Sequence, residues 1–167
     1  NQRLCEDLCS NHFVTLFFGR LDPRQGSLSF AGAGHCPGYV LSSDGQITAT
    51  LFSKGIPLGV ESTRRYPASP VVQLAVGDLL FLYTDGIVEA GAPGSRELFG
   101  TERMLETLRA HQQETPDQIL DAIYRAARDF SPLGDQGDDI TAVLVRVDAS
   151  QPRWDQPLDA VGRLVDE

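Results

Sequence analysis

The feature that most constrains this chain is a pair of acidic positions, each joined to an apolar run. Asp85 follows the run 79–83, and the pair Asp138-Asp139 directly precedes the mainly apolar run 140–147. Apolar runs of this length predict buried strands. A carboxylate at the end of a buried strand needs a cation or another partner. Carboxylate oxygens suit a hard divalent cation, so the two positions together predict a metal site.

Neither acidic position is specific by itself. Asp85 with Gly86 is also compatible with an ordinary turn, although Gly86 would let backbone or a cation approach closely. Asp138 and Asp139 would point to opposite faces of a strand, so one is expected to face the metal while the other holds the loop. The alternative is an exposed acidic loop. Two carboxylate positions are also few for a working metal centre.

A glycine-rich segment, residues 31–37, contains a histidine and a cysteine with several open roles. His35 could be a metal ligand, an acid or a phosphate contact. We favour the simpler interpretation, a turn histidine that is hydrogen-bonded for structure. Cys36 could act as a thiol nucleophile, but the sequence assigns it no partner.

The N-terminal cysteines allow a zinc site but favour a simpler role. Cys5 and Cys9 lie one helical turn apart, close to His12. Because a structural zinc site needs about four ligands, small buried apolar side chains are the favoured interpretation of both cysteines.

Composition excludes several classes of function. The chain has 167 residues, enough for one domain, and a net charge of −9, which argues against general binding to nucleic acid or anionic membranes. No apolar run approaches the roughly 20 residues that a membrane-spanning helix needs. The three cysteines do not make a disulfide framework, which favours a cytoplasmic location.

Local patterns predict an α+β domain with an antiparallel sheet, since the strands come as hairpins and the helices as a pair. Thr101 and Thr115 are predicted helix caps, and the second is followed by proline and then glutamine. The predicted elements are a helix end at 1–9, hairpins over 12–33 and 39–52, strands at 71–74 and 78–84, two helices after 101 and 115, and a strand at 140–147.

Six segments then occur in a set order along the chain. They are Phe13-Val-Thr-Leu-Phe-Phe18, Ala31-Gly-Ala-Gly-His-Cys-Pro37, Gly55-Ile-Pro-Leu-Gly59, Gly77 to Ala90, Phe99-Gly100 and Asp138-Asp-Ile-Thr141. In this order they resemble the bacterial SpoIIE/RsbU-type serine phosphatases of the protein phosphatase 2C (PPM) superfamily. The resemblance implies an α-β-β-α layered sandwich of mainly antiparallel sheets with two Mn²⁺ or Mg²⁺ ions. It also implies direct attack of a metal-activated water on phosphoserine or phosphothreonine, without a phosphoenzyme.

The resemblance assigns roles to the acidic positions. Asp85 and Asp138 correspond to metal ligands of the family, Asp139 to the neighbour of the second, and Gly86 to the close approach beside the metal. The family's earlier metal motifs, an acidic strand and a Gly-Asp-x-x-Gly-x-Gly-like turn, are not found in this sequence. We therefore expect residues 1–148 to be a phosphatase domain without its N-terminal part, and residues 149–167 to be a polar tail or linker.

Expected partners also follow from the resemblance. The implied substrate is a phosphorylated anti-sigma-factor antagonist with a STAS fold, and a sensor domain could precede the chain. A partial domain should bind metal weakly, turn over poorly, and expose a sheet edge that favours self-association. Two other hypotheses stay open: a non-catalytic phosphatase-like binding module in a sigma-factor regulatory pathway, and an acidic cation-binding domain of unrelated function.

Overall fold

The computed structural model of the protein describes residues 1–8, 12–91, 97–131 and 139–149. Cys9 and Asp138 therefore lie outside the described residues. The elements, in chain order, are α1 (Gln2–Asp7), β1 (Leu16–Asp22), β2 (Ser27–Ala33), β3 (Gly38–Leu41), β4 (Ile47–Leu51), β5 (Val72–Gln73), β6 (Leu79–Tyr83), α2 (Gly100–Ala110), α3 (Pro116–Phe130) and β7 (Ala142–Arg146).

The strands form two antiparallel sheets. The first has the order β1-β2-β5 and the second the order β4-β3-β6-β7. The two predicted hairpins, β1–β2 and β3–β4, are present. The neighbours β5 and β6 are not a hairpin, because β5 pairs with β2 while β6 pairs with β3 and β7. The turn at Val76-Gly77 therefore carries the chain from one sheet to the other, and Gly77 takes a positive φ of 92° there.

A first apolar core lies between the sheets. Phe17 stacks on Phe30 with ring centroids 5.1 Å apart, and both belong to the side of the first sheet that meets the second. The buried members of this core are Leu28, Phe30, Val40, Leu51 and Leu80. Because side chains alternate along a strand, Leu80 enters this core while its neighbours on β6 point the other way.

A second, larger core lies between the four-stranded sheet and the pair α2–α3. β6 contributes Leu79, Phe81 and Tyr83 to it. β6 is therefore covered on both faces, as its nearly continuous apolar run predicts. The helices contribute Met104, Leu105, Leu108, Ile119, Ile123 and Ala127.

The two helices begin differently. Thr115 caps α3 through a reciprocal capping box with Gln118, as the sequence predicts. The prediction for α2 is wrong: this helix begins at Gly100 after Phe99, without a side-chain cap. Thr101 lies inside the first turn, close to Tyr83 of β6.

The fold class is α+β with layered antiparallel sheets, as expected. The described residues form three consecutive layers: the three-stranded sheet, the four-stranded sheet and the helix pair. Within the described residues, no helix combines the length and the apolar character that crossing a bilayer requires.

Candidate functional site

Antiparallel pairing of β6 and β7 brings the two acidic regions to one edge of the four-stranded sheet. Tyr83, the last residue of β6, pairs with Ala142, the first residue of β7. Asp85 follows β6 and Asp139 precedes β7, so both lie just beyond this pair. Both residues are exposed at this edge.

Thr84 joins the two acidic segments. Its backbone N–H donates to the Thr141 carbonyl at 2.9 Å. Its hydroxyl accepts from the Thr141 N–H at 2.9 Å and lies 3.1 Å from the Asp139 carbonyl, to which it donates. The backbone next to Asp85 is therefore held directly against the backbone of Asp139.

The turn after β6 presents Asp85 to solvent while its other end is anchored. The Asp85 carbonyl accepts from the Glu89 N–H at 2.9 Å. Gly86 is buried behind the turn, and Ile87 is 1% exposed in the core beneath the helices. An exposed carboxylate thus sits on a backbone that the core holds in place.

The loop before β3 reaches the same edge, because β3 runs antiparallel to β6. Cys36 donates its S–H to the Tyr83 carbonyl at 2.7 Å. Half-buried His35 lies with its Nδ1 3.4 Å from the Thr15 hydroxyl. This contact supports the structural interpretation of His35.

Cys36 has the properties of a structural thiol. Burial, and then the negative charge of Asp85, raise its pKa from 9.0 to about 11. The reactive form of cysteine is the thiolate, and a thiol with this pKa is protonated at neutral pH. The thiol-nucleophile hypothesis is therefore not supported. Burial also raises the pKa of Tyr83, with the nearby Tyr39 as the next cause.

The chemistry of the edge fits part of a hard-cation site. Asp85 and Asp139 offer carboxylate oxygens, which Mg²⁺ and Mn²⁺ prefer. No group of three or more His, Cys, Asp or Glu side chains in the described ranges is arranged to hold a metal ion. The two acids are therefore at most a candidate part of a ligand set. Position 138 lies outside the described residues.

The N-terminal cysteines show no sign of a zinc site where they are described. The Cys5 thiol contacts the Asn1 side-chain oxygen at 3.9 Å. Cys9 lies outside the described residues, so its predicted role is not tested.

Sequence reasoning missed the role of Thr84 and of Thr15. Thr84 stands inside the motif that contains Asp85, and its adjacency to an acid was the available signal. Local patterns show Thr84 only as the end of a strand, because its partners Asp139 and Thr141 lie more than fifty residues away in the chain. The role of Thr15 is hidden for the same reason, since its partner His35 lies twenty residues later, in the loop before β3.

The family described as Stage II sporulation protein E (SpoIIE) matches residues 1–148. Protein IcfG of Synechocystis sp. is 36% identical over 133 residues, which are 80% of this chain and 20% of IcfG. Phosphoserine phosphatase RsbU of Bacillus subtilis is 25% identical over 148 residues, 87% of this chain and 42% of RsbU.

Among solved structures, the SiaA-PP2C domain of Pseudomonas aeruginosa matches with a TM-score of 0.69 and 25% identity. The match covers 80% of this chain and 52% of that chain. This chain therefore spans less than half the length of IcfG and RsbU, and about half of the solved SiaA chain. The chain belongs to the SpoIIE family, and its fold is that of the PP2C-type phosphatase domains.

Proposed function

We propose that this chain is part of a metal-dependent protein serine/threonine phosphatase of bacterial signalling that hydrolyses phosphoserine. Membership of the SpoIIE family supports this proposal, as does similarity to a protein named phosphoserine phosphatase RsbU. The observation that carries it is the edge where β6 and β7 bring Asp85 and Asp139 together. Carboxylate oxygens are the ligands that Mg²⁺ and Mn²⁺ prefer.

In this proposal the chain's residues bind and orient rather than react. Asp85 and Asp138 hold a Mn²⁺ or Mg²⁺ ion, with Asp139 in support, and Gly86 leaves the space beside Asp85 free of a Cβ. A bound ion of this kind lowers the pKa of a water and offsets phosphate charge. His35, in contact with Thr15, keeps the neighbouring loop in place.

The complete site needs residues beyond these. We propose that residues 1–148 are the C-terminal portion of a phosphatase domain and that 149–167 form a tail or linker. The match to only 52% of the SiaA chain supports a partial domain, and the family match over residues 1–148 is consistent with its proposed end. Further metal ligands would then come from outside this sequence, and the chain alone would bind metal weakly.

The proposed substrate is a phosphorylated STAS-type anti-sigma-factor antagonist in the cytoplasm. This rests on the family resemblance and on the acidic net charge of −9, which does not suit nucleic acid as a partner.

The test is phosphate release from a phosphoserine peptide by the full-length protein in Mn²⁺. We expect Asp85→Asn to lower kcat/KM by at least about 100-fold, because it removes a proposed metal ligand, and loss of a group that merely supports a ligand typically costs about 10- to 100-fold. The matched control is Asp148→Asn, an exposed carboxylate beyond the other end of β7, which should leave the rate unchanged. A wild-type protein without Mn²⁺-dependent release, or an equal effect of both variants, would contradict the proposal.

A second candidate is the non-catalytic binding module. It stays open because the chain covers only part of its relatives and only Asp85 and Asp139 meet at the described edge. It predicts that the full-length protein binds a phosphorylated STAS protein equally well in EDTA and in Mn²⁺, without releasing phosphate. Release of phosphate in Mn²⁺ would exclude it.

A further inference from the structure

The proposed function gives no role to Thr84, although this residue makes several close contacts at the site. It stands between the last residue of β6 and Asp85. Its hydroxyl is used in both directions: it accepts from the Thr141 N–H and donates to the Asp139 carbonyl. A hydroxyl has one donor and two acceptor positions, so a side chain without a hydroxyl cannot make both bonds.

These bonds continue the β6–β7 pairing beyond the strands. The regular register ends at Tyr83 and Ala142. Past that point, the Thr84 N–H and hydroxyl bind the backbone of residues 139–141. β7 is the last strand in the order β4-β3-β6-β7, so β6 is its hydrogen-bonded neighbour in this sheet. Thr84, one residue before Asp85, thus bonds directly to the backbone that carries Asp139.

We propose that Thr84 is a positioning residue of the metal centre. Its hydroxyl holds the segment of Asp139 against the segment of Asp85, so that both acidic positions bear on one cation. This inference rests on the proposed function. Groups that hold metal ligands in place typically change metal affinity by roughly 10- to 100-fold when removed.

The chain offers variants that separate positioning from folding. Thr84→Val keeps the shape and β-branching that suit a strand but removes the hydroxyl. Thr84→Ser keeps the hydroxyl and should restore function. Thr48→Val is the matched control, because the Thr48 hydroxyl also bonds a sheet carbonyl, that of Val40, at 3.3 Å, but it lies on β4, two strands away from β6.

Two measurements on the full-length protein test the inference. Calorimetric titration with Mn²⁺ should show affinity falling by roughly 10- to 100-fold in Thr84→Val. Thr84→Ser should stay close to wild type, and Thr48→Val should equal it. Amide hydrogen exchange without metal should show faster exchange at Thr141 in Thr84→Val and not in Thr84→Ser, since the valine removes the acceptor of that N–H.

Three results would contradict the inference. Unchanged Mn²⁺ affinity in Thr84→Val would overturn the inference while leaving the proposed function intact. Equal losses in the valine and serine variants would also overturn it, because the hydroxyl would not be the cause. A flat Mn²⁺ titration of the wild-type protein would contradict both the proposed function and this inference. That result is distinct from the other two, in which the wild-type protein binds Mn²⁺.

Discussion

The two outward faces of the sheets differ sharply in how they are covered. Phe81, on the face of the four-stranded sheet that meets the helices, is 0% exposed, while Phe18, on the outer face of the three-stranded sheet, is 66% exposed. Both are phenylalanines in the middle of strands. Their difference comes from the layer opposite: α2 and α3 cover the first face, and no described helix covers the second.

The candidate site lies at the end of β6, in the four-stranded sheet that the helices cover. β6 is packed on both faces and delivers Asp85 at its end. Residues that bind ligands are commonly placed on loops held by a rigid scaffold. The turn after β6 has this arrangement, with Ile87 buried and Asp85 exposed.

Truncating one phenylalanine from each face gives the largest expected contrast. Phe81→Ala should lower the free energy of unfolding by about 3–5 kcal/mol, because it leaves a cavity in a closed core. Phe18→Ala should change it by no more than about 0.5 kcal/mol, as for most exposed positions. Urea unfolding followed by circular dichroism measures both. Similar losses in the two variants would mean that the outer face of the first sheet is covered in solution.

Alkylation of Cys36 tests how well the covered side shields its groups. In a Cys5→Ser, Cys9→Ser background, the native thiol at pH 8 should react about 100-fold more slowly than in urea, because folding raises its pKa from 9.0 to about 11 and the thiolate is the reactive form. Folding favours the protonated thiol. The contribution of the protonated Cys36 thiol to the free energy of unfolding is therefore complete below pH 9 and is lost as the pH rises toward 11. Equal rates in native and unfolded protein would contradict this.

Self-association tests the poorly covered side. β1 is the terminal strand of the order β1-β2-β5, and exposed apolar edges favour pairing between chains. We expect this chain to associate at high concentration and Phe18→Lys to weaken association, since a lysine opposes edge pairing. Val143→Lys places the same charge on β7, the terminal strand of the other sheet, at a residue 49% exposed, and it should leave association unchanged if β1 is the edge that pairs. Light scattering that shows a stable wild-type monomer would refute the expectation.

The smallest effect concerns the start of the helix that covers β6. Thr115→Ala should cost about 1 kcal/mol of unfolding free energy, because it removes the capping box of α3. Thr115→Ser should recover most of that loss, since serine caps equally well. Urea unfolding of the three proteins makes the comparison, and an alanine variant as stable as wild type would show that the cap contributes nothing.

Local patterns predicted much of the fold. The hairpin turn before Ser27 contains proline and glycine, and the strand β2 spans 27–33 as expected. The cap at Thr115 was also predicted from the sequence, because a capping box involves residues only three positions apart. The helix face was only partly predicted: Ile119, Ile123 and Ala127 are buried, but Tyr124 is 40% exposed.

Other features needed the complete fold. Thr101 is a reasonable cap by residue type, but it lies inside the first turn of α2, close to Tyr83 of β6. The separation of β5 and β6 into different sheets was also not visible locally, since both patterns fit a hairpin. In each case the deciding partner is distant in sequence.

The sequence by itself determined the α+β class, the hairpins, the cap of α3 and the ordered motifs that mark the SpoIIE family. These depend on residue type and on neighbours within a few positions. Tertiary structure alone decided that Asp85 and Asp139 share one edge, that Cys36 is a shielded thiol, and that Thr84 joins the two acidic segments. Those facts come from antiparallel pairing between β6 and β7 and from burial against distant residues, which no local pattern contains.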